Sequence, residues 1–272
     1  MHELITDQSF DLNRTREYIL SIQVSLDGFS FSVIHPHENR LMALKNTPVT
    51  ISEEKFLPRR LTEWMNQEEL FNHPFSGIKI CYNSPKVTLM PSSFSPEKNN
   101  DEIFNLLFGQ DTQSRVMQKS IEPLNADLLF SIPYHLLNLF DEKWDDYTLF
   151  HPAAVLAEIA CNIFSSSPAG ILLHFDTQSF LLFLFQNQSL ILFNRFNFSH
   201  VNDIIYYLMT AMKQNEIKTR NCKLLLSGNI REEEEVENLL KNYFNQIGFL
   251  IPDLKSDNEK FHFPIHRFIS LF

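Results

Sequence analysis

Leu20-Ser21-Ile22-Gln23-Val24-Ser25-Leu26-Asp27-Gly28-Phe29-Ser30-Phe31 alternates apolar and polar residues up to an Asp-Gly pair, then alternates again. Successive side chains of a strand point to opposite faces, so Leu20, Ile22, Val24 and Leu26 share one face and Ser21, Gln23, Ser25 and Asp27 the other. This is the pattern of a half-buried strand, and Asp-Gly between two such runs predicts a hairpin. A third run, Leu41 to Lys45, completes a three-stranded antiparallel meander. The pattern returns from Ile171. An ungapped offset of 149 residues, 171 less 22, sets Ile22 on Ile171, Val24 on Leu173, Leu26 on Phe175, Asp27 on Asp176, Ser30 on Ser179, Phe31 on Phe180 and Leu41 on Leu190. It makes Leu20 to Val33 equivalent to Ala169 to Leu182, and the shared aspartate points to duplication of one unit.

The elements beyond each meander support the repeat. In the first half, Pro58 opens a helix carrying Leu61, Trp64, Met65 and Leu70, and Ile78 to Tyr82 is a strand. Strands Lys86 to Met90, Arg115 to Ile121 and Asp127 to Ile132, a helix from Asp101 to Gly109 and one over Tyr134 to Asp141 are additions. A helix after His151-Pro152 buries Val155, Leu156, Ile159, Ala160 and Ile163. In the second half, strands Ile171 to Phe175, Phe180 to Phe185 and Leu190 to Phe193 precede a helix capped by Ser199, with Val201, Ile204, Ile205, Leu208 and Met212 on its apolar face. Lys223 to Leu226 is a strand leading into Ser227-Gly228-Asn229. The last helix, Ile230 to Ile247, starts on the Glu232 to Glu235 run, buries Leu239, Leu240, Tyr243 and Ile247, and stops at Gly248. The apolar tail Phe261 to Phe272 packs as an edge strand and final turn, or docks a partner. The fold class is α/β, with two related lobes, residues 1–150 and 151–272, each a mixed sheet with a three-stranded meander plus helices.

Composition narrows the function. The 272 residues carry 23 Lys+Arg against 33 Asp+Glu, a net charge of -10, opposite to the footprint of a nucleic-acid or anionic-membrane binder. Only 6 glycines are present where average usage gives about 19, which leaves few loops able to bring backbone amides against phosphates. Cys81, Cys161 and Cys222 are odd in number, far apart and set among apolar residues, as buried thiols of a reducing compartment would be. Met1 to Tyr18 holds no apolar block of a signal peptide, and no run approaches a membrane span, so a cytoplasmic protein is expected. His35-Pro36-His37 and the pair His262 and His266 lack ligating neighbours at metal-site spacing, so no metal is expected. Nucleophile elbow, P-loop and dinucleotide fingerprint are absent.

Two copies of strand-strand-strand-helix-strand-helix, each with an aspartate at the end of its first strand, resemble the actin, hexokinase and heat-shock-chaperone superfamily. More narrowly, Leu20 to Phe31 is similar to an uncharacterised family of Bacteroidetes-type bacteria with a degenerate actin-like ATPase fold. The resemblance implies two lobes closing on a nucleotide. Asp27, Gly28 and Ser30 of the first hairpin, Asp176 and Thr177 of the second, and Gly228 would then surround Mg²⁺-ATP. Departures from the superfamily pattern are evident: Gly28 follows Asp27 directly, Thr177, Gln178 and Ser179 replace small residues, and Ser227-Gly228-Asn229 keeps one glycine of a pair. Both aspartates also serve as plain turn residues.

The expected function is a non-catalytic binding or scaffold protein whose nucleotide site has degenerated, without a cofactor and with a protein as its partner class. The alternative is a Mg²⁺-ATP-dependent enzyme or switch using Asp27 and Asp176. The cleft separates them: an enzyme needs both carboxylates within reach of one metal, and a scaffold is expected to fill the space with aromatic side chains.

Overall fold

A computed structural model describes residues 4–94, 100–230, 235–255 and 264–272. The first part of the chain forms β1 (Ile5–Thr6), β2 (Ile19–Ser25), β3 (Gly28–His35), β4 (Arg40–Pro48), α1 (Leu57–Met65) and β5 (Gly77–Tyr82). Then come β6 (Val87–Pro91), α2 (Asn100–Phe108), β7 (Ser114–Ile121), β8 (Ala126–Pro133), α3 (Tyr134–Lys143) and β9 (Thr148–Phe150). After α4 (Pro152–Phe164) follow β10 (Ala169–Phe175), β11 (Ser179–Gln186), β12 (Ser189–Asn197), α5 (Val201–Gln214), β13 (Lys223–Gly228), α6 (Glu235–Lys241) and β14 (Gln246–Phe249).

Two sheets repeat one order. The first runs β1-β4-β3-β2-β5-β9 and the second β12-β11-β10-β13-β14. In each, an antiparallel meander is extended by two parallel strands from the side of its first member. A third, antiparallel sheet, β6-β8-β7, carries α2.

The repeat holds at a different register from the one alternation suggests. Val24 pairs with Phe29 and Ile22 with Phe31, while Phe175 pairs with Phe180 and Leu173 with Leu182. An offset of 151, 175 less 24, preserves both pairs, whereas 149 preserves neither. Asp27 therefore corresponds to Gln178, and Asp176 to Ser25. A shift of two residues leaves every side chain on its own face, so a period of two could not reveal it.

The central strands are buried on both sides. In β11, Phe180, Leu182 and Leu184 pack beneath α5 and α6, while Leu181, Phe183 and Phe185 join the core that holds α1, α3 and α4. That core takes Leu20, Ile22 and Val24 from β2 as well as Leu172 and Leu225 from the second sheet, so it continues across residue 150. The opposite face of β2 is covered too: a 3₁₀ turn at Ile265–Leu271 lies over it, Ser32 Oγ donates to Leu271 O at 2.8 Å, and Phe268 and Leu271 pack on Ile34, Leu41 and Leu44. Ser21 is 1% exposed, which corrects the half-buried expectation for this strand, and Ile265–Leu271 form the final turn of the tail as a 3₁₀ segment. Phe261 to Phe263 lie outside the described residues.

Three further expectations shift. α4 buries Ala153, Ala154, Leu156, Ala157, Ala160 and Phe164, leaving Val155, Ile159 and Ile163 at its flank. It packs on strands of more than one sheet, and alanines permit that close approach. The N-cap of α5 is His200 rather than Ser199, with the Asp203 carboxylate accepting from both backbone N–H groups at 2.9 Å. The last helix ends at Lys241: Ile247 and Gly248 belong to β14, where Leu225 faces Gly248 in parallel register, and Tyr243 is 40% exposed. Residues 231–234, including most of the Glu run, lie outside the described residues.

Candidate functional site

The hairpin tips of the two sheets meet. Ser25 Oγ donates to Gly28 O and accepts from Asp27 N, both at 3.1 Å, which fixes the first tip and projects the Asp27 carboxylate towards the second. There Asp27 Oδ2 accepts from the backbone N–H of Thr177 at 2.8 Å. Burial raises the Asp27 pKa, the Thr177 hydrogen bond opposes that rise, and the Asp176 charge adds to it.

All six residues predicted for a nucleotide, Asp27, Gly28, Ser30, Asp176, Thr177 and Gly228, line one cavity together with His174, Asn229, Arg267 and Phe268. Its volume is about 100 Å³, against roughly 300 to 1,000 Å³ for pockets that take drug-sized ligands. Gly28 and Gly228 are there because neighbouring backbone leaves no room. A Cβ on Gly28 (φ +129°) would stand 2.3 Å from Thr47 O, and one on Gly228 (φ +81°) 2.2 Å from Phe175 O. The second contact belongs to the parallel ladder, where Asn229 N also donates to Phe175 O at 2.6 Å. Asn229 Nδ2 donates to Thr177 Oγ1 at 3.3 Å and Asn229 Oδ1 accepts from Arg267, so the tail is tied to the same tip.

On the other side of the Asp27–Thr177 contact lies a second cavity of about 280 Å³, lined by Asp176, Ser179, Asn83 and Arg195 among others. Asp176 is 9% exposed and both its oxygens are taken. Oδ1 accepts from Asn83 Nδ2 at 2.7 Å, and Oδ2 from Ser179 Oγ at 3.0 Å and from Arg195 Nη2 at 2.9 Å. Arg195, on β12, also donates from Nη2 to Ser179 Oγ at 2.8 Å, and from Nη1 to Asn83 Oδ1 at 3.2 Å and Ser84 O at 3.0 Å. Asn83 and Ser84 leave the end of β5 in the first sheet, where Asn83 N donates to Val24 O. One guanidinium thus joins both sheets.

Two buried histidines flank this cluster. His151 caps α4, its Nδ1 accepting from Ala153 N at 3.0 Å, which leaves Nε2–H to donate to Ser84 O at 3.1 Å. His174 Nδ1 lies 2.9 Å from Ser227 Oγ. Burial lowers the first to about 3 and the second to about 4, so both rings are neutral at pH 7.

This polar network bridges the cleft between the two cavities, and the aromatic filling expected of a scaffold is not what joins the sheets there. A Mg²⁺ ion at Asp176 would have to displace the guanidinium, and among the described residues no three His, Cys, Asp or Glu side chains converge on a metal position. The residues present do not fit Mg²⁺-ATP in this arrangement. Asn83, Arg195, His151 and His174 carry no motif that singles them out in the sequence. Only Asn83 has a positional signal: it follows Tyr82 as Asn229 follows Gly228, and each backbone N–H donates to its meander's first strand, at Val24 O and Phe175 O.

Comparison with known proteins places the fold. A family model described as "Protein of unknown function (DUF3822)" matches residues 7–247. A solved Bacteroides thetaiotaomicron protein, described as having an actin-like ATPase fold and unknown function, is 22% identical over 89% of this chain and 93% of that chain, with a TM-score of 0.79. The PilM-PilN type IV pilus biogenesis complex contains a chain 11% identical over 94% of this one and 97% of its own, with a TM-score of 0.56. No curated protein matches the sequence. Among the described residues, no helix is long and apolar enough to cross a membrane.

Proposed function

This chain belongs to the DUF3822 family and has the actin-like ATPase fold, and on that premise we propose that it is a non-catalytic binding or scaffold protein of the cytoplasm whose nucleotide site has degenerated. The observation that carries this reading is the direct contact between hairpin tips: Asp27 accepts from Thr177 N where phosphates would have to pass. Phosphoryl transfer rests on positioning and charge stabilisation around the phosphates, and this site holds two cavities, of about 100 and 280 Å³, each smaller than the roughly 300 Å³ at which pockets for drug-sized ligands begin. A protein as partner is supported by the likeness to a chain of the PilM-PilN complex, which shows the fold within an assembly. The cytoplasm is supported by the free thiols of Cys81, Cys161 and Cys222, of which the first and last are buried as expected and Cys161 is half-buried.

The rival, an ATP-dependent enzyme or switch, draws on the convergence of six predicted residues on one cavity. Calorimetric titration with Mg²⁺-ATP and a phosphate-release assay, on wild type and on Asp27→Ala with Asp176→Ala, decide between the two. Neither heat nor turnover is expected in any sample. Binding and turnover in wild type, both lost in the double variant, would establish the enzyme.

A further inference from the structure

The misfit to Mg²⁺ has a specific cause. Asp176 is 9% exposed, and a carboxylate so placed is costly to hold as an anion unless it is paired and hydrogen-bonded. Its cationic partner among the described residues is Arg195, whose side chain is 15% exposed. The planar guanidinium suits a position between two sheets better than an ammonium would, because its fork reaches several acceptors at once. Four are engaged: Asp176 and Ser179 from the second sheet, Asn83 and Ser84 from the end of β5.

We propose that Arg195 is the resident cation of this site, holding the place beside Asp176 that a divalent ion would need and joining the two lobes in the ligand's stead. The inference rests on the non-catalytic reading above and deepens it. A guanidinium stays charged in proteins, so the bridge does not depend on a bound metal or on nucleotide supply. The closed cleft is then a constant feature of the surface shown to a partner. Substituting Arg195 removes the cation from the Asp176 carboxylate beside Asp27, and a hard cation becomes the natural replacement for the lost charge.

The test uses Mg²⁺ or Mn²⁺ alone, on the full chain, with thermal unfolding and Mn²⁺ binding as readouts. Wild type should bind no Mn²⁺ at millimolar concentration, and its Tm should not move. Arg195→Gln should melt lower than wild type and regain Tm in proportion to the logarithm of metal concentration. Arg195→Lys, which keeps the charge, should lie between them. Asp176→Asn with Arg195→Gln should be indifferent to metal. Metal binding by wild type, an Arg195→Gln protein that ignores metal, or a metal response in the double variant each overturns the proposal. Should Arg195→Gln fail to fold without metal, recovery on refolding in Mn²⁺ supports it and failure to recover overturns it. No nucleotide is present, so a failure here is separate from failure of the functional reading, which only the ATP titration can bring about.

Discussion

Gly28 and Gly228 carry the same residue type that a phosphate-binding hairpin uses, for a different reason. At both positions the atoms a Cβ would strike are backbone, which cannot swing aside as a side chain can. Both also have positive φ, where a side chain costs about 1 to 2 kcal/mol in any surroundings. Gly28→Ala and Gly228→Ala should therefore each lose about 2 to 5 kcal/mol, the conformational penalty plus the strain of overpacking. Gly109 has φ +82° but nothing within 4 Å of its would-be Cβ, so Gly109→Ala should lose only the conformational part, about 1 to 2 kcal/mol. Urea midpoints at constant m separate the cases, and equal losses at all three sites would show that close backbone contact plays no part. A chain with 6 glycines has kept two of them for its own backbone at this site.

Elements are legible in the sequence wherever a pattern belongs to one element. β2, β3, β10 and β11 follow from alternation or a dense apolar run, and both meanders lie where those runs put them. Register is hidden, because sliding one hairpin by two residues against its counterpart changes no face. That hidden slip makes Asp27 and Asp176 look equivalent, when Asp176 stands where the first hairpin has Ser25. The end of the last helix is hidden for another reason. Spacings of three and four continue from Val236 to Ile247, but the open side of β13 takes residues Gln246–Phe249 as a parallel strand, and tertiary pairing overrides the helical pattern. Leu240, fully buried beside Phe244, and Tyr243, 40% exposed, discriminate between the two arrangements. Leu240→Ala should cost about 2 to 5 kcal/mol through lost transfer and a cavity, and Tyr243→Ala less than about 1 kcal/mol. Comparable losses at both positions would restore the long helix with Tyr243 on its buried face.

Across the whole molecule, the seam between the sheets is polar on one side and apolar on the other, and acid should strike the polar side. His151 donates to Ser84 O, which also accepts from Arg195, so a proton on His151 would add a second positive charge beside the guanidinium. Burial holds the folded-state pKa of His151 at about 3 and that of His174 at about 4, both below the usual 6.5. Between 6.5 and those values the unfolded chain binds a proton at each ring that the folded chain refuses, so unfolding is favoured as pH falls. The stability these histidines contribute is complete above pH 6.5 and drains as pH drops towards 4, each ring accounting for about 1.4 kcal/mol per pH unit. Chemical unfolding followed from pH 7.5 to 4.5 should show a steady decline below pH 6.5. His174→Gln and His151→Asn, the latter keeping an acceptor for Ala153 N, should each flatten the slope by about 1.4 kcal/mol per unit, and the double variant by about twice that. A double variant that declines as steeply as wild type would mean that both rings accept protons in the folded protein. His151 and His174 would then be hydrated, and the seam they flank would stand open to solvent rather than closed around Arg195.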